Sequence, residues 1–191
     1  MSRSSLINLH AVIPSSRVNG PGRRMVVFFQ GCGRNCPGCF NPETHRFSEA
    51  RLCAPTELFG KYLREGVEGI TISGGEPFAQ PEGLAELLRL ARSYHGLSTV
   101  VYTGCTHEEL LGQEPAMQAL EHIDVLIDGP YERDKPEPTS LARGSANQRF
   151  IFLSGRYAPA DFYMPGKVEV TISPDGTVTE TGFSRAAAIG F

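Results

Sequence analysis

The chain has 191 residues, 40% hydrophobic and 20% charged, with 18 Lys+Arg against 21 Asp+Glu for a formal net charge of -3. That is the composition of one globular domain, too short for a complete eight-fold β/α barrel of roughly 250 residues and too nearly neutral to attract nucleic acid or an anionic membrane over distance. The longest uninterrupted apolar run, residues 25–29, is far below the roughly 20 residues of a membrane span, and residues 1–16 lack a signal-peptide layout, so a cytosolic protein is expected.

In chain order, the first buried strand is expected at residues 26–30. It opens directly into Gly31-Cys32-Gly33-Arg34-Asn35-Cys36-Pro37-Gly38-Cys39-Phe40-Asn41, which places three of the five cysteines within eight positions. In a reducing compartment clustered cysteines bind metal or do chemistry rather than pair. Three thiolates on a four-iron cluster leave one iron open to a substrate or cofactor. A zinc site, or a closed cluster completed by Cys53 or Cys105, is the alternative that spacing leaves open; as isolated residues, those two cysteines read as small buried hydrophobes.

A helix follows at 56–65, with Thr56 as its N-cap and Gly66 as its stop. The second strand, 70–73, runs into Ser73-Gly74-Gly75-Glu76-Pro77. Two glycines there permit close backbone approach to a ligand, and a carboxylate fixed beside them suits an ammonium group. Alone this is an ordinary turn; next to an open iron–sulfur loop it is what binding S-adenosylmethionine (SAM) requires. Residues 81–95 carry Leu84, Leu87, Leu88 and Ala91 at helical spacing behind Pro81, the clearest helix of the chain.

Strands are expected again at 99–103, 125–128 and 149–153, with a capping box from Thr106 to Glu109 between the first two. All five strands read as parallel and covered on both faces, so strand and helix alternate in a parallel α/β sheet. Residues 131–148 have no period, and a loop that long is expected to be functional; its charges Arg133, Asp134, Lys135 and Glu137 read as solvated. The tail alternates Val168, Val170 and Ile172, turns at residues 173–176 and resumes at Val178, a β-hairpin. Competing motifs fail: Gly31-x-Gly33 lacks its third glycine, no phosphate-binding loop occurs, and the five histidines show no ligand spacing.

With these residues in view, the chain resembles radical SAM enzymes of the glycyl-radical-activating type, within them the subgroup that activates anaerobic ribonucleotide reductases. The resemblance rests on Asn19-Gly20-Pro21-Gly22-x-Arg24, Gln30-Gly31-Cys32, the Cys-x3-Cys-Pro-Gly-Cys-Phe-Asn loop, Ser73 to Pro77, Tyr102-Thr103-Gly104, Asp128-Gly129-Pro130 and Arg143-Gly144-Ser145-Ala146-Asn147-Gln148, in the same order. Most radical SAM loops have an aromatic before the last cysteine; here Gly38 stands there and Phe40 follows, an arrangement this subgroup shares.

The resemblance implies a partial (open) parallel β/α barrel as one domain over 1–191, with a core of about 19–155 and a C-terminal extension over 156–191. It implies Cys32, Cys36 and Cys39 as ligands of a [4Fe-4S] cluster, and Gly38, Cys39, Phe40, Gly74, Gly75, Glu76, Thr103, Gly104 and Asp128 against SAM, with Phe40 on the adenine. The implied reaction is reductive cleavage of SAM to a 5′-deoxyadenosyl radical that installs a glycyl radical on a partner such as anaerobic ribonucleotide reductase. Flavodoxin or ferredoxin would donate the electron. Action on a small molecule or peptide, and a non-catalytic zinc or iron–sulfur module, are the rival expectations.

Overall fold

The computed structural model describes residues 6–165, 168–172, 176 and 178–183. Its first strand, β1 (Ile7–Ser16), buries Ile7 and Leu9 while Asn8 and His10 stay at the other face, a period-2 signal that the sequence reading above does not use. β2 (Arg24–Phe29) pairs antiparallel with β1, and β3 (Leu52–Cys53) adds antiparallel to the outer edge of β1. Helix α1 (Pro55–Tyr62) starts on Pro55, with Ala54 at the N-cap, two residues before the expected Thr56, which lies inside the first turn. Proline at the first helical position is the stronger start signal, since its missing N–H has no partner there anyway.

β4 (Gly69–Gly74), α2 (Pro81–Ser93) and β5 (Ser98–Tyr102) follow as expected. α3 (His107–Leu110) is a single turn on the Thr106–Glu109 capping box, and α4 (Glu114–Leu120) is a helix the sequence reading missed. β6 (Val125–Asp128) completes the parallel set β2-β4-β5-β6.

β7 (Arg149–Phe152) corrects an expectation: it runs antiparallel to β6 and is only partly buried. Parallel pairing needs a crossover that carries the chain back to the starting end of the sheet. Residues 131–148 contain no helix to do this, so the chain turns where β6 ends and returns along its edge. The result is a mixed α/β fold with a mostly parallel central sheet in the order β3-β1-β2-β4-β5-β6-β7, and a separate hairpin of β8 (Val168–Ile172) and β9 (Val178–Gly182). The hairpin's turn, residues 173–175, lies outside the described residues.

The helices cover one face of the sheet. Met25, Val27, Phe29, Ile70 and Ile72 pack there against Leu58 and Phe59 of α1 and Leu84, Leu87 and Leu88 of α2. The opposite face, with Val100, Val125 and Ile127, is closed by Ala142 and by Phe162 and Met164 from the tail. On that face Arg24 is wholly buried, and among the described residues no carboxylate forms an ion pair with it. Its guanidinium donates to the Thr71 hydroxyl (2.7 Å), to Ser98 Oγ (2.9 Å), and to the carbonyls of Ile70 (2.7 Å), Ser98 (3.2 Å) and Pro21 (3.0 Å). Among the described residues no helix is long and apolar enough to cross a membrane.

Candidate functional site

The inner face of the sheet opens, at the C-terminal ends of β2, β4 and β5, into a cavity of about 430 Å³. Ligands of parallel α/β sheets bind at that end. Its floor is Phe28 and the Ser73–Glu76 turn, and its rim is the cysteine loop.

Backbone bonds close that loop on itself. Gly31 N–H donates to Thr44 O (2.8 Å), Cys32 N–H to His45 O (3.0 Å) and Cys39 N–H to Cys36 O (3.1 Å), while Gln30 Nε2 holds Arg46 O (2.7 Å). Cys32, Cys36 and Cys39 are all partly buried and all line the cavity. Burial, then the neighbouring Cys36 and Cys32, pushes the Cys39 thiol above its ordinary pKa, so a bound cation is what would make it a thiolate.

Among the described residues no three His, Cys, Asp or Glu side chains gather around a single ion. Zinc holds its sulfurs at about 2.3 Å and so about 4 Å from one another. A four-iron cluster takes each thiolate on a separate iron, so its three protein ligands need not converge on one point. Cys53 packs into the core behind β3, and Cys105 sits beside Arg34; neither lines the cavity as a fourth ligand.

The two glycines after β4 serve the protein's own backbone. A Cβ on Gly74, whose φ is +98°, would lie 2.6 Å from Phe29 N and O, and one on Gly75 would lie 2.4 Å from Gly31 O. Their absence lets Gly75 N–H reach Phe29 O (2.8 Å) and Glu76 N–H reach Gly31 O (2.8 Å), fastening the turn to the base of the cysteine loop.

Glu76 lines the cavity but is 7% exposed. Its Oε1 accepts from Thr103 Oγ1 (2.7 Å) and Phe78 N–H (3.1 Å), and its Oε2 accepts from Gly104 N–H (2.9 Å). Burial raises its pKa, and these donors together with Arg34 at 3.9 Å oppose the rise. Arg34 crosses Gly104, where a Cβ would meet its Cδ at 2.4 Å, and ends on Glu109 (2.9 Å). Thus the cysteine loop, the Gly-Gly-Glu turn and the end of β5 form one braced unit.

Of the residues expected near SAM, Cys39, Phe40, Gly74, Gly75, Glu76, Thr103 and Gly104 line the cavity. Gly38 does not; its φ of +72° makes the turn to Cys39, beneath the Arg133 side chain. Asp128 is buried away from the cavity. Its carboxylate takes two bonds from Arg149 (3.0 and 2.5 Å) and one from His107 N–H (2.7 Å), tying β6, β7 and α3 together.

Sequence reasoning missed Tyr131, which faces Phe40 with ring centroids 4.9 Å apart. A Cβ on Gly144 would be 3.2 Å from both rings, so glycine lets them meet. Gln148 holds this arrangement, accepting from Gly144 N–H (2.8 Å) and donating to Gly129 O (3.0 Å). Arg143 donates to Gln148 O (2.6 Å) and pairs with Glu137, whose side chain is 8% exposed; this corrects its reading as a solvated charge. The motif from Arg143 to Gln148 was the available signal for this loop.

Fold and site together define a single-cluster iron–sulfur domain, and the family model for the "4Fe-4S single cluster domain" matches residues 18–151. An anaerobic ribonucleoside-triphosphate reductase-activating protein of Escherichia coli K12 is 32% identical over 157 residues, covering 74% of this chain and 96% of that one. Those of Pasteurella multocida (37% over 144 residues, 71% and 90%) and phage T4 (31% over 150 residues, 75% and 92%) are comparable. The crystal structure of QueE from Escherichia coli aligns with TM-score 0.40 and 20% identity over 54% of each chain. The chain belongs to the anaerobic ribonucleoside-triphosphate reductase-activating protein family. It is a radical SAM oxidoreductase with a [4Fe-4S] cluster and SAM as cofactors, which sets aside the non-catalytic zinc reading.

Proposed function

We propose that the chain is a cytoplasmic, single-domain activase that cleaves SAM reductively and installs a glycyl radical on an anaerobic ribonucleotide reductase or a close relative. In this reading the sheet is a partial, open β/α barrel of the radical SAM type. The observation that carries it is the single cavity in which three thiols, the Gly-Gly-Glu turn and Phe40 meet.

Cys32, Cys36 and Cys39, which line the cavity, would hold the cluster. Bound together, the cluster and SAM would supply reductive cleavage of a carbon–sulfur bond, on one electron from a donor such as flavodoxin or ferredoxin, to methionine and a 5′-deoxyadenosyl radical able to take a hydrogen atom from a glycine Cα.

The chain's own residues bind, orient and exclude water. Glu76 has its carboxylate filled by Thr103, Phe78 and Gly104, so it fixes the shape of the turn that receives the methionine end of SAM. Phe40 supplies an aromatic face for the adenine, and Tyr131 backs it. No general acid or base is needed, because a hydrogen atom moves rather than a proton.

Anaerobic Cys36→Ala protein, given SAM and dithionite, is expected to form no 5′-deoxyadenosine and to lose its cluster absorbance. Cys53→Ala and Cys105→Ala should retain both. Turnover persisting in Cys36→Ala would remove that residue from the ligand set.

A further inference from the structure

The β8–β9 hairpin lies outside the 18–151 stretch common to the family, and its two faces are turned the wrong way round for a surface hairpin. Strand pairing sets Val168 opposite Gly182, Val170 opposite Glu180 and Ile172 opposite Val178, so the four aliphatic side chains share one face, with Glu180 beside Val170. Glu169 and Thr181, also opposite each other, mark the other face.

The polar face is the one that meets the body. Arg17 N–H donates to Glu169 Oε1 (2.8 Å), and the Thr181 hydroxyl exchanges bonds with the Asn19 amide (3.0 and 3.2 Å). The apolar face is left outside, with Val168 at 37%, Val170 at 57%, Ile172 at 71% and Val178 at 63% exposure. A half-covered antiparallel sheet ordinarily turns its apolar face inward. Four contiguous β-branched side chains in water mark a surface that another molecule covers.

Position identifies the occupant. Glu180, Thr181, Gly182 and Phe183 line the cavity, and the Phe183 ring packs on Tyr102 with centroids 5.9 Å apart. Whatever covers the hairpin therefore stands at the cavity mouth. Under the function proposed above, the acceptor is a glycine in a folded enzyme, which must bring its own surface to that mouth for the glycine to enter.

Resting on that reading, we propose that the outward face formed by Val168, Val170, Ile172 and Val178 is the docking surface for the reductase that the chain activates, and that it seats on an apolar patch of that enzyme. Because the contact is apolar, salt should weaken it little.

The test is a Val170→Lys/Ile172→Lys double variant, at side chains already largely in water. Without reductase, its 5′-deoxyadenosine formation should equal wild type. With reductase, the glycyl radical measured by electron paramagnetic resonance should form with a KM raised about tenfold or more and an unchanged kcat. Radical formation at the wild-type rate under subsaturating reductase would overturn the proposal. So would a wild-type dimer in size-exclusion chromatography that the variant converts to monomer, since a second copy would then be the occupant.

Should the double variant fold poorly, a photocrosslinking p-benzoylphenylalanine at Ile172 should capture the reductase. Crosslinks only between copies of the chain, or none, would also overturn it. Absence of 5′-deoxyadenosine from the wild type would instead sink the radical reading, while the crosslink still judges the docking surface.

Discussion

Glu76 carries its negative charge almost entirely out of water, and three donors with a cation at 3.9 Å do not fully offset the loss of hydration. Burial raises its pKa in the folded state above the ordinary carboxylate value, so the native state holds this proton more tightly than the unfolded state does. Its contribution to stability is therefore complete at pH below the unfolded value and falls as pH rises through the folded value. Glu76→Gln keeps the size and the acceptor for Thr103 but cannot ionise. In urea titrations from about pH 4 to 7 the variant's midpoint should gain on the wild type as pH rises, with any fixed packing offset unchanged. Parallel pH profiles would show that Glu76 ionises in the fold at no extra cost.

Arg24 works at the scale of strands, joining the starts of β2, β4 and β5 through the Thr71 and Ser98 hydroxyls and the carbonyls of Ile70 and Ser98. A Cβ on Gly69 would lie 2.4 Å from its Nη1, so the strand beside it is shaped to admit the guanidinium. Arg24→Met preserves much of the volume and removes the donors, leaving buried carbonyls unpaired at about 1–3 kcal/mol each. A loss of about 3 kcal/mol in urea unfolding, with unchanged m-value, is expected.

Elements whose pattern is local were legible in the sequence: the apolar parallel strands, the Pro81 helix, the Thr106 capping box and the tail hairpin. The cysteines and the Gly-Gly-Glu turn were legible for the same reason, as short motifs at strand ends. β1 was not read because much of its length is only half-buried and its pairing is broken by two register shifts. The direction of β7 depends on how the preceding loop returns, and Tyr131, Gly144 and Phe183 reach the cavity through contacts distant in sequence. No local period encodes such convergence.

At the scale of the whole molecule, α1, α2 and α4 cover one face of the sheet, so the other face must find its cover elsewhere. Residues 157–164 supply it. Phe162 is 0% and Met164 4% exposed, Phe162 packs on Phe150 at 5.0 Å, and the Tyr157 hydroxyl reaches Ser98 Oγ at 2.7 Å beside Arg24. Backbone bonds from Ala142 N–H to Phe162 O and from Met164 N–H to Ser140 O, both 2.8 Å, sew this segment to the loop that carries Gly144. Burying those two side chains contributes roughly 4 kcal/mol, a large part of the roughly 5–15 kcal/mol by which a domain is stable.

The extension therefore divides into a plug and a docking hairpin, separable by truncation. A chain ending at Pro165 should unfold cooperatively, yet activate the reductase poorly. A chain ending at Ser154 exposes Val100, Val125 and Ile127 to water and should lose its sharp thermal transition and bind a hydrophobic dye. If the two truncated chains melt alike, the segment 157–164 is a passenger on the sheet and the inner face is held by the 131–148 loop alone.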